Sequence, residues 1–309
     1  MVHVFPNYYK EFQCVGGSCK HNCCIGWEID IDSDTLAFYD AVPGEFGNRL
    51  QKCISHDSTP HFTLDEKERC PFLNQKNLCD IILTLGEEHI CDICTDHPRF
   101  RNELPGRIET GLGLCCEEAA RLILSRHEPT ILEFSGNDAT EDEIISLRDQ
   151  VITLLQDRSL SIQERINNML QLCNGDLPEK SMAEWAELLL SLERLDDAWT
   201  QLLIKLRDSW TLADMSGFEH YMLSRQTEYE QFVVYLIYRH LANSSNFLDL
   251  TARANFAALG YQLVHQLGAI LWSEHGTFTL QDQIELVRLF SSEIEYSDEN
   301  LYVLFDELC

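Results

Sequence analysis

The chain has 309 residues, 23 Lys plus Arg against 51 Asp plus Glu, and 13 cysteines, for a formal charge of −28 with 45% apolar residues. That apolar share fills a core in each of about two domains and excludes a disordered chain. The acidic balance leaves no clustered Lys and Arg to neutralise phosphates, so no nucleic-acid partner is expected. Apolar runs such as 232–241 stop well short of the ~20 residues a spanning helix needs, so no membrane partner is expected either.

Residues 1–10 show no basic segment followed by an apolar stretch and a cleavage site. The expectation is a cytoplasmic protein whose cysteines stay reduced, open to metals or redox chemistry. Eleven of the thirteen cysteines fall within the first 116 residues. Turn formers at 15–18, Pro43-Gly44 and Pro105-Gly106 punctuate that stretch, and no helical periodicity persists in it. Residues 1–133 therefore read as a small loop-rich module that depends on a metal.

Three clusters carry the signal. The first is Cys14, Cys19, Cys23 and Cys24, running on to Trp27; the second is Cys70 and Cys79; the third is Cys91 and Cys94, followed by His97-Pro98-Arg99, with Cys115 and Cys116 behind it. Two thiolates three or four positions apart on a turn can face one ion, and two such pairs complete a tetrahedral site. Zinc and an iron–sulfur cluster both use four thiolates, so donor type does not separate them. The adjacent pairs Cys23-Cys24 and Cys115-Cys116 send their side chains in different directions, so each pair is expected to give one ligand and one packing thiol. Cys53, Cys173 and Cys309 read as core or surface thiols.

Residues 134–141 look like a linker, with Asp138 or Thr140 as the cap of the next helix. From Ile144 onward apolar residues recur at three and four positions: Ile144, Leu147, Val151, Leu154; Leu188, Leu189, Leu192, Leu195; Phe232, Val233, Leu236, Ile237, His240, Leu241. Breaks near Asn174-Gly175, Ser216-Gly217, 242–245 and His275-Gly276 predict about seven packed helices over 134–309. The expected fold class is mostly α: a loop-rich cysteine-cluster metal module followed by an all-α helical domain. Residues 131–309 carry 11 basic and 30 acidic side chains, and residues 1–130 carry 12 and 21, so both halves are acidic. A solvated surface explains this, and so does a field that attracts a lysine-bearing partner.

The order Phe12-x-Cys14, Cys19-x₃-Cys23-Cys24-x-Gly-Trp27, Cys70-Pro-Phe-Leu, Leu-Cys79-x-Ile, Leu85-Gly86-Glu-Glu, Ile-Cys91-x₂-Cys94 and His97-Pro-Arg-Phe resembles the bacterial flagellin lysine N-methylase family. Its cysteine-rich part is similar to zinc- or iron-chelating domains with closely spaced cysteines. The resemblance covers residues 1 to about 130; the helical remainder matches in general character. It implies methyl transfer from S-adenosylmethionine to lysines of flagellin, with a [4Fe-4S] cluster as the metal centre. Carried over by position, the ligands would come from Cys14, Cys19, Cys23, Cys24, Cys70, Cys79, Cys91, Cys94 and Cys116.

Such a transfer needs a neutral amine, and at pH 7 only roughly one free lysine in two and a half thousand is neutral. Nearby carboxylates draw the substrate in but favour its protonated form. Tyr8, Tyr9, Trp27, Tyr39, Tyr221, Tyr229 and Tyr238 offer π faces to a cation, though each has an ordinary packing reading as well. With no Gly-x-Gly-x-x-Gly run after a strand, a cofactor site would be unusual; Trp27, His97 and Arg99 are its candidates. His97 and Arg99 read equally as donors beside the metal or the cofactor carboxylate and as a helix cap or surface ion pair. No catalytic residue stands out. The alternative reading is an iron–sulfur or zinc redox or interaction protein without methyltransferase activity.

Overall fold

The computed structural model describes residues 1–57, 59–136 and 142–309. Contacts divide the chain into residues 13–99 and a discontinuous unit of 1–12 with 100–309. This differs from the 133/134 boundary read from composition, for a reason that lies in strand pairing. Strand β1 (Val2–Pro6) joins a four-stranded sheet with β2 (Arg99–Leu104), β3 (Arg107–Leu112) and β4 (Leu132–Ser135), in the order β2-β3-β1-β4. It runs parallel to β3, with Val2 opposite Arg107, and antiparallel to β4, with His3 opposite Ser135. The mostly α class holds. The sheet within the helical unit is an addition that helical periodicity does not reveal.

Among the described residues nine α-helices follow Asp142, where about seven were expected. Two of the unforeseen breaks lack both Gly and Pro. One is at Ser161, which opens Ile162–Leu172 with a reciprocal box to Glu164, and the other lies at 192–196 before Asp197–Ser209. The break expected at Ser216-Gly217 falls inside the first turn of Met215–Met222, where Asp214 accepts from Gly217 N at 2.9 Å. Asp138 and Thr140 lie outside the described residues; the cap of Glu143–Leu155 is Asp142, which accepts from Ile145 N at 2.9 Å.

The 29-residue helix Phe247–His275 is buried on nearly every side, which its run of small residues permits. A Cβ on Gly260 would stand 2.9 Å from Leu236 Cδ1, and one on Gly268 would stand 2.9 Å from Phe218 Cζ, so both glycines let a neighbour press against the helix backbone. Gly276, at φ +72°, closes the helix in the left-handed region.

Charges inside this unit are paired. Glu109 is fully buried and accepts from Arg148 Nη1 at 2.7 Å and Nη2 at 2.8 Å, while Arg107 bonds the same carboxylate. Glu230 accepts from Arg158 and Arg165 at 2.8 and 2.6 Å. Glu295, in the π-helical turn Ser291–Glu295, meets His240 at 2.7 Å and the Tyr235 hydroxyl at 3.1 Å.

One histidine gives this unit an acid limit. His265 packs among Tyr229, Tyr261 and Phe218 with ring centroids 5.3–5.4 Å away, and burial pulls it from 6.5 down to about 4. The folded form holds it neutral. Below pH 6.5 the unfolded chain therefore takes up a proton that the folded chain refuses, and stability falls progressively toward pH 4. His240, lowered by burial against the pull of Glu295, adds in the same direction. The melting temperature is expected to be lower at pH 5.5 than at pH 7.5, with a smaller gap in His265→Phe.

Candidate metal centre

Unit 13–99 has a small core of its own: Ile29, Ile31, Tyr39, Leu50, Ile54, Phe62, Phe72 and Ile81, with Cys70 and Cys91 buried among them and Cys24, Cys53, Cys79 and Cys94 packed against it. Short elements deliver these thiols. Cys70 N donates to Cys24 O at 2.8 Å, joining the first and second clusters through the backbone. Cys79 starts the helix Asp80–Leu85, and Cys91 starts Asp92–Asp96, which carries Cys94 one turn on.

The loop from Cys70 to Cys79 is clamped from outside. Arg49, on helix Gly44–Cys53, donates to Pro71 O at 2.6 Å and to Asp80 at 2.8 Å, and its guanidinium lies 4.8 Å from the Phe72 ring. Asn74 donates to Asp80 at 2.9 Å and accepts from Lys76 N at 2.8 Å. The loop that carries Cys14 and Cys19 presses on this one: a Cβ on Gly17 would lie 2.6 Å from Lys76 O, so that approach needs glycine.

The thiols act on one another's protons. Cys94 is held above the usual thiol range by its hydrogen bond to Cys91, then by burial, then by the neighbouring Cys91, Cys24 and Cys70. Cys91 is lowered by the same bond from Cys94. Cys24 is raised by its hydrogen bond to Cys23, by burial, and by Cys23, Cys70 and Cys79, whereas Cys23 falls to about 7. Burial pushes Cys70 up to about 11 and raises Cys79. Of the nine candidate ligands, Cys24, Cys70, Cys79, Cys91 and Cys94 thus meet around one core. Cys14 and Cys23 are exposed, Cys19 is half-buried, and Cys116 sits in the helical unit as the N-cap of Glu117–Leu124. In the first adjacent pair Cys24 packs against the core and Cys23 is exposed, yet the two thiols stay within hydrogen-bond reach of each other.

Among the described residues no three His, Cys, Asp or Glu side chains already surround one ion-sized point. The chemistry of the gathered donors is nonetheless uniform. Five soft sulfurs, several desolvated as thiols, form the set that thiolate-bound metals take, and a cation would displace protons that burial otherwise retains.

The other expected residues divide. Trp27 and His97 come together, ring centroids 6.0 Å apart, and Trp27 Nε1 bonds Cys23 O. Burial and Arg99 bring His97 down to about 4, so its ring is neutral at pH 7. Arg99 donates to Thr95 O at 3.0 Å, satisfying a carbonyl in the last turn of Asp92–Asp96. The remaining aromatics are tied into packing. Tyr8 is buried beneath Arg126, Tyr9 lies 5.7 Å from Phe5, and the Tyr238 hydroxyl donates to Thr110 O at 2.9 Å. The Tyr221 hydroxyl donates to Phe278 O at 3.0 Å, and Tyr229 packs on Tyr261. Sequence reasoning missed Arg49, since nothing local in the sequence says which loop it will bind.

Comparison with known proteins adds a family. Residues 182–308 match the family described as the FliB lysine N-methylase C-terminal domain. The lysine-N-methylases of Salmonella typhimurium and Salmonella choleraesuis are each 27% identical over 154 residues, covering 43% of this chain and 37% of theirs. The flagellar biosynthetic protein FliU of Salmonella muenchen is 28% identical over 128 residues, 39% of this chain and 75% of its own. The match thus spans little more than a third of the two methylases' length. No solved structure matches. These matches show the likeness to the flagellin lysine N-methylase family and extend it to the helical part, beyond the residues where the cysteine motifs had placed it.

Proposed function

We propose that this relative of the lysine N-methylases is a protein-lysine N-methyltransferase that moves a methyl group from S-adenosylmethionine to lysines of flagellin, with a [4Fe-4S] cluster in unit 13–99. The match of residues 182–308 to the methylase C-terminal domain carries the reading, and the flagellar name of one relative supports the substrate. In the transfer the sulfonium S–C bond breaks as the N–C bond forms, S-adenosylhomocysteine leaves, and a base takes the lysine proton. The ligands we propose are among Cys24, Cys70, Cys79, Cys91 and Cys94, the thiols that share one core. When bound, an iron–sulfur cluster supplies a site of electron or cofactor binding, or braces the fold.

For the cofactor we propose the Trp27–His97 corner, with Arg99 fixing the helix beside it. Trp27 offers a π face to a sulfonium, and the neutral His97 adds no opposing charge. The formal charge of −28 would favour the approach of a lysine-rich surface.

The test uses the full chain purified without oxygen. Incubated with S-adenosylmethionine and flagellin under reducing conditions, it is expected to add methyl mass increments to flagellin, read by mass spectrometry, and Trp27→Ala is expected to weaken cofactor binding tenfold or more with metal content unchanged. A flagellin of unaltered mass sinks the enzyme reading and leaves a metal-binding redox or interaction protein. Iron and sulfide analysis decides the metal separately, since a colourless chain with stoichiometric zinc would remove the cluster.

A further inference from the structure

Helix Ser33–Ala41 holds the Cys91 segment at two points. At its start Asp32 accepts from Thr35 N at 2.8 Å and from Asp92 N at 3.0 Å, so one carboxylate caps both its own helix and the helix of Cys94. Toward its far end the fully buried Tyr39 donates its hydroxyl to His89 O at 2.8 Å, and the same oxygen lies 3.8 Å from Cys91 Sγ. Phe62 and Phe38 stand 6.2 Å from the Tyr39 ring. Phe38 in turn stacks on His89 at 4.1 Å, which fixes the carbonyl's segment.

A phenol has one proton to give. While Cys91 is a thiol, that proton goes to the His89 carbonyl and the S–H can donate to the phenol oxygen. On ligation the thiol proton leaves to water, and the thiolate becomes an acceptor with a donor already 3.8 Å away.

We propose that the Tyr39 hydroxyl is a two-position donor, turned to His89 O when Cys91 is a thiol and to Cys91 Sγ when Cys91 holds metal, and that it thereby tunes the metal centre. It acts as a positioning and tuning residue, and it presupposes the thiolate centre proposed above. A hydrogen bond to a ligand sulfur stabilises the more negative, reduced state, so its loss lowers the reduction potential.

The experiment compares the full chain, loaded without oxygen, as wild type, Tyr39→Phe, and with 3-fluorotyrosine at position 39. Iron per chain is measured first and is expected to be equal in all three. The midpoint potential, followed by absorbance near ~400 nm, should then move negative in Tyr39→Phe and positive with the stronger fluorinated donor. Potentials that coincide at equal iron content overturn the proposal and leave the metal centre standing. A wild type without iron overturns the cluster reading and this proposal with it, and the iron count separates that outcome before any potential is read. Should Tyr39→Phe fail to hold iron, the fluorinated protein alone decides, because it keeps both ring and hydroxyl.

Discussion

Replacing Cys91 and Cys94 together by serine should strip metal from the chain and open residues 13–99 to proteases, while residues 100–309 stay resistant. The core of that unit is ten buried side chains, two of them cysteines, and its elements are short: the helix carrying Cys94 spans Asp92–Asp96. A core of that size supplies little stability against the chain entropy of its long loops. A structural thiolate metal site contributes on the order of 10 kcal/mol to folding, because the unfolded chain does not preform it. Serine is close to cysteine in size, so packing alone would change little. The check is iron analysis beside limited proteolysis with the cut sites mapped by mass. A doubly substituted chain that holds no metal yet remains uncut within 13–99 would mean that the module folds without it.

The second large effect belongs to the helical unit. Glu109→Ala is expected to cost about 3–5 kcal/mol, the usual consequence of leaving buried charge without its partner. Two guanidiniums converge on that carboxylate, and the side chains of Arg107, Glu109 and Arg148 are at most 1% exposed. Arg148 also lies 5.3 Å from the Tyr238 ring, whose hydroxyl is bonded to the backbone of β3, so the loss would spread from helix to sheet. Urea unfolding followed by far-UV signal measures it as a lower midpoint. Glu109→Gln, which keeps one acceptor oxygen and loses the charge, should fall between. A loss below about 1 kcal/mol for the alanine variant would show that the guanidiniums find other partners or water.

The cysteine module was legible because its chemistry is local: a Cys-x-x-Cys pair on a turn announces itself in four residues. Which thiols meet was not, since that depends on Cys70 N reaching Cys24 O and on Arg49 clamping a loop more than twenty residues away. Helix existence followed from periodicity. Boundaries went astray where a cap did the work of a glycine, as at Ser161, or where a glycine served something else. Gly217 is such a case: a Cβ there would stand 2.9 Å from Trp272, so it marks a close approach within a helix rather than a break. Tyr8, Tyr9, Tyr221, Tyr229 and Tyr238 take the packing reading that was open to each, for a related reason. A tyrosine's π face is visible in sequence, but whether its ring faces solvent or a neighbour's side chain is decided by distant residues such as Arg126 and Arg148.

The placement of β1 has a consequence for the order of events at the ribosome. This strand is made well before its partners, residues 107–109 and 132–135, which follow about a hundred residues later. At translation speeds of about 5–20 residues per second, that leaves on the order of 5–25 s in which the edge of the sheet has no companion. Residues 13–99 emerge within that interval, complete with every thiol that shares their core. A metal of the kind proposed above would therefore meet all of its candidate thiols before the sheet forms, so that loading need not wait for the helices that follow.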